Sequence, residues 1–126
     1  YVMRLLLGRD PDREPRVVVH VSLLLQQATL RVEGETKMQT TISTGRAGYA
    51  TPEGHYVGTQ KYRHWRSTIY KVPMPLFMRL NCGNFGLHSG YVTGAPASHG
   101  CIRLPDAMAR KFFDIITVGD EVIIER

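Results

Sequence analysis

Apolar and polar positions along this chain run with strand-like character over most of its length and switch to a helical period only near the end. Val17 to Val21 is rich in β-branched residues and predicts a strand. Ala28 to Val32, a Glu33-Gly34 turn and Thr36 to Ser43 predict a hairpin, with glycine supplying the turn and alternation marking its arms. Gly54 to Thr59, Phe85 to His88 and Glu121 to Glu125 read as further strands. The one strong helix is predicted over Pro105 to Thr117, where Met108, Phe112, Ile115 and Ile116 recur at helical spacing. Pro105 suits its first position, Asp106 its first turn, and Gly119 supplies the stop. The fold class expected is therefore mainly β, with one principal helix packed beside the sheet. Residues 1–16, broken by Gly8, Asp10-Pro11 and Pro15, read as an arm entering a single domain over 17–126. Lys61 to Leu80, aromatic and basic and then proline-rich, reads as a surface excursion. No internal repeat or low-complexity tract interrupts the pattern.

A length of 126 residues allows one core, and 43% hydrophobic with 21% charged residues is ordinary for a globular domain. Leu5-Leu6-Leu7 and Leu23-Leu24-Leu25 are far too short to span a membrane. The chain opens on Tyr1 without a secretory leader pattern, and the expectation is of a leader removed upstream. Its net charge of +5 is scattered over Arg9, Arg13, Arg16, Lys61, Arg63, Arg66, Lys71 and Arg79. Such a surface suits an anionic polymer, and equally well is plain solubilising charge. Nucleic-acid recognition would want basic residues concentrated among stacking aromatics, which only Lys61 to Lys71 approaches; no nucleic-acid partner is expected.

The candidate chemistry lies in Ser98-His99-Gly100-Cys101-Ile102-Arg103, with His88 upstream in Leu87-His88-Ser89-Gly90. A thiolate is a strong nucleophile, but a free thiol is scarcely ionised near neutral pH, so a base or a lowered pKa is needed. His88, at the end of a strand, is the better-held base; His99, two residues from Cys101, is read as supporting the loop. The positive end of the following helix is expected to favour a thiolate or a developing oxyanion, and Arg103 adds a fixed positive charge two residues away. Gly100 permits an unusual backbone turn whose His99, Gly100 and Cys101 amides would converge on an oxyanion. His88, His99 and Cys101 lack the fourth ligand and paired spacing of a structural zinc site, so no metal or other cofactor is expected. Two cysteines invite a disulfide, but a Cys82–Cys101 bridge would silence the nucleophile, and Cys82 reads as a small buried hydrophobe.

These residues carry a family resemblance. Met74 to Leu80, Leu87-His88-Ser89-Gly90 and Gly94-Ala95-Pro96-Ala97-Ser98-His99-Gly100-Cys101-Ile102-Arg103-Leu104-Pro105 together resemble the L,D-transpeptidase (YkuD-like) catalytic domain. Ser43-Thr44-Gly45-Arg46-Ala47-Gly48 and Thr51-Pro52-Glu53-Gly54 are similar to that family's turn between its early strands. The resemblance runs from about Val17 to Ile124. It implies a β-sandwich or mixed sheet and an exported enzyme of the periplasm or cell envelope that acts on peptidoglycan stem peptides. Cysteine would attack an L,D peptide bond, expel D-alanine and pass the acyl group to an amine, on a stem peptide or on an outer-membrane protein. By the same match Cys101 is the nucleophile, His88 the base and the Ser89 carbonyl its orienting partner. The amides of His99, Gly100 and Cys101 take the oxyanion position, with Ser98 and Arg103 beside them, and carbapenems would acylate Cys101. Tyr70, Trp65, Met74 and Tyr91 are the groove candidates, although an ordinary loop pinned by Trp65 and Tyr70 fits the same stretch. Arg103 stands where other members have asparagine, and the gap from His88 to Ser98 is short, which leaves the acceptor open. The alternatives are an L,D-carboxypeptidase, with water as acceptor, or an amidase on the same acyl-enzyme, and a non-catalytic wall-binding module.

Overall fold

A computed structural model describes residues 16–67, 71–81 and 85–126. Its strands are β1 (Val17–Ser22), β2 (Gln27–Val32), β3 (Glu35–Thr41), β4 (Gly54–Tyr62), β5 (Phe77–Leu80), β6 (Gly86–Ser89), β7 (Ile102–Leu104) and β8 (Glu121–Glu125). They form an eight-stranded mixed sheet in the order β3-β2-β1-β8-β4-β5-β6-β7. The pairs β1–β8 and β6–β7 are parallel, and the other neighbours are antiparallel. Just beyond β3, Ser43 bridges to Arg103 of β7, so the two ends of the sheet meet and the sheet is nearly a barrel. Closure of this kind gives otherwise unpaired edge groups a partner.

Period-two sequence builds the core. Val17, Val19 and Val21 of β1 turn inward while Val18, His20 and Ser22 lie half-exposed. Leu30, Ile42, Met78, Leu80, Ile102, Leu104, Val122 and Ile124 complete the apolar centre. Helix α1 (Asp106–Ile115) closes it with Ala109, Phe112 and Phe113, and Ile116 follows at the cap. Met108 and Ile115, expected on the buried face, sit at its margin.

Several boundaries differ from the sequence reading. Pro105 is the N-cap rather than the first helical residue, and the helix stops at an extended Ile116 before reaching Gly119. Gly119 belongs instead to a turn in which Asp120 Oδ2 accepts from the Thr117 amide at 2.7 Å. The helix has no basic residue in its last turn; Lys61 of β4 supplies that charge from outside, its Nζ donating to the carbonyls of Phe113 and Ile116, both at 2.7 Å. Burial lowers the Lys61 pKa, with Asp114 opposing. Lys61 is thus a structural cation, not scattered surface charge. The supposed excursion from Lys61 to Leu80 begins as the end of β4 and ends as β5. β5 escapes a period-two reading because Phe77 and Met78 are adjacent and both buried, and β7 because it is three residues long. Cys82, Tyr70 and the arm before Arg16 lie outside the described residues.

Candidate functional site

The parallel register of β6 and β7 places Leu87 opposite Ile102, His88 opposite Arg103 and Ser89 opposite Leu104. Strand alternation then sends Leu87, Ile102 and Leu104 into the core and leaves His88 and Arg103 on the other face, with Cys101 one residue before β7. The residue preceding Leu87, and so facing Cys101 across the gap, is Gly86. A Cβ there would lie 1.9 Å from the carbonyl oxygen of Met78, so only glycine lets β5 and β6 approach this closely. Among the described residues Cys101 is a free, half-buried thiol.

His88 is 7% exposed, and its Nδ1 lies 2.8 Å from the carbonyl oxygen of Ser89. A carbonyl only accepts, so Nδ1 carries the hydrogen and Nε2 carries the lone pair. Burial pushes the imidazole pKa down to about 4, against the pull of the Ser89 carbonyl and assisted by Arg103. His88 is therefore a neutral, oriented imidazole at neutral pH. The Ser89 hydroxyl donates to Asp106 Oδ1 at 2.9 Å, tying the end of β6 to the start of α1. Asp106 is held below the usual carboxylate range by its hydrogen bonds from Arg110 and Ser89.

Burial pushes the Cys101 thiol up, and the opposing effects of a hydrogen bond from the Gly86 backbone and of the Arg103 charge are smaller. This corrects the expectation of a thiolate held by the helix end. The strand β7 intervenes between Cys101 and α1, carrying the helix roughly 10 Å down the chain, whereas the dipole acts over about one turn. The resting pair is thiol and imidazole, both uncharged.

The turn carrying Cys101 is held from several sides. Gly100 has φ +124°, a conformation that L side chains rarely adopt. Its carbonyl accepts from Thr51 Oγ1 at 2.6 Å, and the same hydroxyl accepts from the Gly45 amide at 2.8 Å. Ser98 Oγ donates to the Cys101 carbonyl and accepts from the Gly100 amide at 3.1 Å. The Gly100 amide thus has an acceptor inside the turn. The amides of Ala97 and Ser98 donate to the Thr44 carbonyl, while the Thr44 amide donates to buried Gln26 Oε1 at 3.0 Å.

His99, by contrast, is exposed. Its Nε2 lies 3.2 Å from Arg46 Nη2 and its ring meets Tyr49 edge-on at 4.8 Å. Of the groove candidates, Tyr91 is 78% exposed and Met74 only 4%. Trp65 stacks on Tyr62 and Phe77 at 4.7 and 5.6 Å, with the Arg79 guanidinium 5.1 Å from its ring, so its faces are used within the protein. No group of three or more His, Cys, Asp or Glu side chains able to hold a metal occurs among the described residues. Nor does any described helix have the length and apolarity to cross a membrane. Sequence reasoning assigned no role to Thr51, Gly86, Gln26 or Arg46. The Thr51-Pro52-Glu53-Gly54 and Ser43-Thr44-Gly45-Arg46-Ala47-Gly48 patterns were the available signals for Thr51 and Arg46, whereas Gly86 and Gln26 act through Met78 and Thr44, which only the fold brings against them.

The fold has solved counterparts. An L,D-transpeptidase from Mycobacterium smegmatis superposes with a TM-score of 0.84 at 25% identity over 89% of this chain and 59% of its own. One from Stackebrandtia nassauensis gives 0.82 at 29% identity, over 94% of this chain and 60% of its own. A third, an L,D-transpeptidase in complex with imipenem, matches in fold with a TM-score of 0.81 at 24% identity, over 89% of this chain and 60% of its own. The chain thus spans about 60% of the length of these structures. No curated protein sequence matches it. The sequence model of the L,D-transpeptidase catalytic domain matches residues 16–124, nearly the whole chain, and the chain belongs to that family.

Proposed function

We propose that this chain is the catalytic unit of a peptidoglycan L,D-transpeptidase with Cys101 as nucleophile and His88 as general base. The observation that carries the reading is the His88–Ser89 hydrogen bond beside the strand that follows Cys101. It leaves the Nε2 lone pair of a neutral imidazole available on the face that the register shares with the thiol.

Because both groups rest uncharged, proton transfer accompanies attack rather than preceding it. Nε2 takes the thiol proton as Sγ bonds to the carbonyl carbon of the L,D peptide bond in the donor stem peptide. The oxyanion is stabilised by backbone amides, chiefly that of Cys101, since the Gly100 amide is engaged by Ser98. The imidazolium returns its proton to the departing amine of D-alanine, leaving a thioester. An acceptor amine then attacks the thioester, His88 takes its proton, and the thiol is restored. The acceptor is the amine of a second stem peptide or a lysine of an envelope protein, and the site of action is the periplasm or cell envelope.

The test is mass spectrometry of wild type and Cys101→Ala incubated with disaccharide-tetrapeptide. A cysteine-dependent dimer lacking one D-alanine is expected, and a carbapenem should add its mass at Cys101 alone. Tripeptide without dimer would make the enzyme an L,D-carboxypeptidase. Product from Cys101→Ala would overturn the assignment of the nucleophile.

A further inference from the structure

The strand order places different chemistry on the two sides of Cys101. On one side β6 pairs with β7 and brings His88. On the other, Ser43 and Arg103 exchange backbone hydrogen bonds of 3.1 and 2.8 Å, and Gly45 bridges Ser98. The segment from Ser43 to Thr51 therefore lies along the edge of the Cys101 turn opposite the base. Arg46 is the cation of that segment. Its amide donates to the Ser98 carbonyl at 3.0 Å, its guanidinium carbon lies 5.0 Å from the centre of the Tyr49 ring, and Nη2 donates to His99 Nε2 at 3.2 Å.

These contacts orient the guanidinium without neutralising it. Tyr49 and His99 carry no negative charge, and among the described residues no carboxylate forms an ion pair with Arg46. The side chain is exposed, and His99, which it touches, is two residues from Cys101, at most about 7 Å along the backbone. An arginine fixed by stacking and one hydrogen bond keeps its remaining N–H groups available for a planar bidentate acceptor.

Direction follows from the proton traffic. In acyl transfer by Cys101 the leaving amine and the incoming amine both exchange protons with His88, so both pass on the β6 side. What remains for the opposite side is the acyl half of the donor. Resting on the transpeptidase reading above, we infer that Arg46, held by Tyr49 and His99, binds a carboxylate on the acyl half of the stem-peptide donor and selects for it.

The experiment compares three synthetic tetrapeptide donors in the wild type, Arg46→Met and Arg46→Lys. One has every carboxylate free, one has those of the acyl half converted to primary amides, and one has only the terminal D-alanine carboxylate amidated. The expected result is that the wild type prefers the free acyl-half carboxylates by about tenfold in kcat/KM, expressed in KM. In Arg46→Met this preference collapses, and in Arg46→Lys part of it returns. Iodoacetamide labelling of Cys101 reports separately whether the turn is intact. Equal loss with all three donors, accompanied by altered labelling, would make Arg46 merely structural and overturn the inference. So would a preference that persists in Arg46→Met or that follows the terminal carboxylate. Wild type that is folded and labelled at Cys101 yet processes none of the donors would instead overturn the transpeptidase reading, and the donor assignment with it.

Discussion

Acidification should expose His88 in two measurements at once. The imidazole titrates at about 4 in the folded protein, against 6.5 for a solvated histidine. Between these values the unfolded chain binds a proton that the native chain does not, so stability rises with pH across this window and is lost as the pH falls through it. Below about 4 both states are protonated and the difference stops growing. At roughly 1.4 kcal/mol per pH unit the loss from this one group is about 2.5 kcal/mol at pH 4.5. Urea unfolding of wild type and His88→Asn from pH 8 to 4.5 isolates it, because asparagine keeps a donor near Nδ1 but does not titrate. The difference between the two proteins should shrink by about that amount on acidification, while contributions shared by both, such as Asp106, cancel. In parallel the acid limb of kcat/KM should fall near pH 4 rather than 6.5, with His88→Asn losing orders of magnitude and His99→Ala far less. A stability difference flat over that range, or an acid limb near 6.5, would refute the picture of a buried neutral base.

Two further variants probe the scaffold. Thr51→Val leaves the Gly45 amide and the Gly100 carbonyl without their partner, and should cost about 2–4 kcal/mol in thermal unfolding and slow alkylation of Cys101; normal stability would show that the hydroxyl is dispensable. Lys61→Met removes both charge-assisted bonds to the end of α1 and should cost about 2 kcal/mol, with faster amide exchange at Phe113 to Ile116; unchanged exchange would place the helix cap elsewhere.

What local sequence could determine, it determined well. Val17, Val19 and Val21 point one way because a strand has period two, and Glu33-Gly34 turns the chain between the adjacent, antiparallel β2 and β3. The Ser-His-Gly-Cys run marked the thiol, since a nucleophile, a turn and a strand end are all short-range features. Tertiary structure decided what depends on partners. Phe77 to Leu80, with two adjacent buried residues, and Ile102 to Leu104, too short for a pattern to stand out, are strands because neighbouring strands complete their hydrogen bonds. Whether Cys101 rests as thiol or thiolate turned on burial, which outweighed the Arg103 charge legible in the sequence. The separate fates of His88 and His99 turned on the sheet: β6 buries one ring against its own carbonyl, while the other lies on the surface against Arg46 and Tyr49. Spacing can bring an imidazole near a thiol, but register and desolvation set its tautomer and charge.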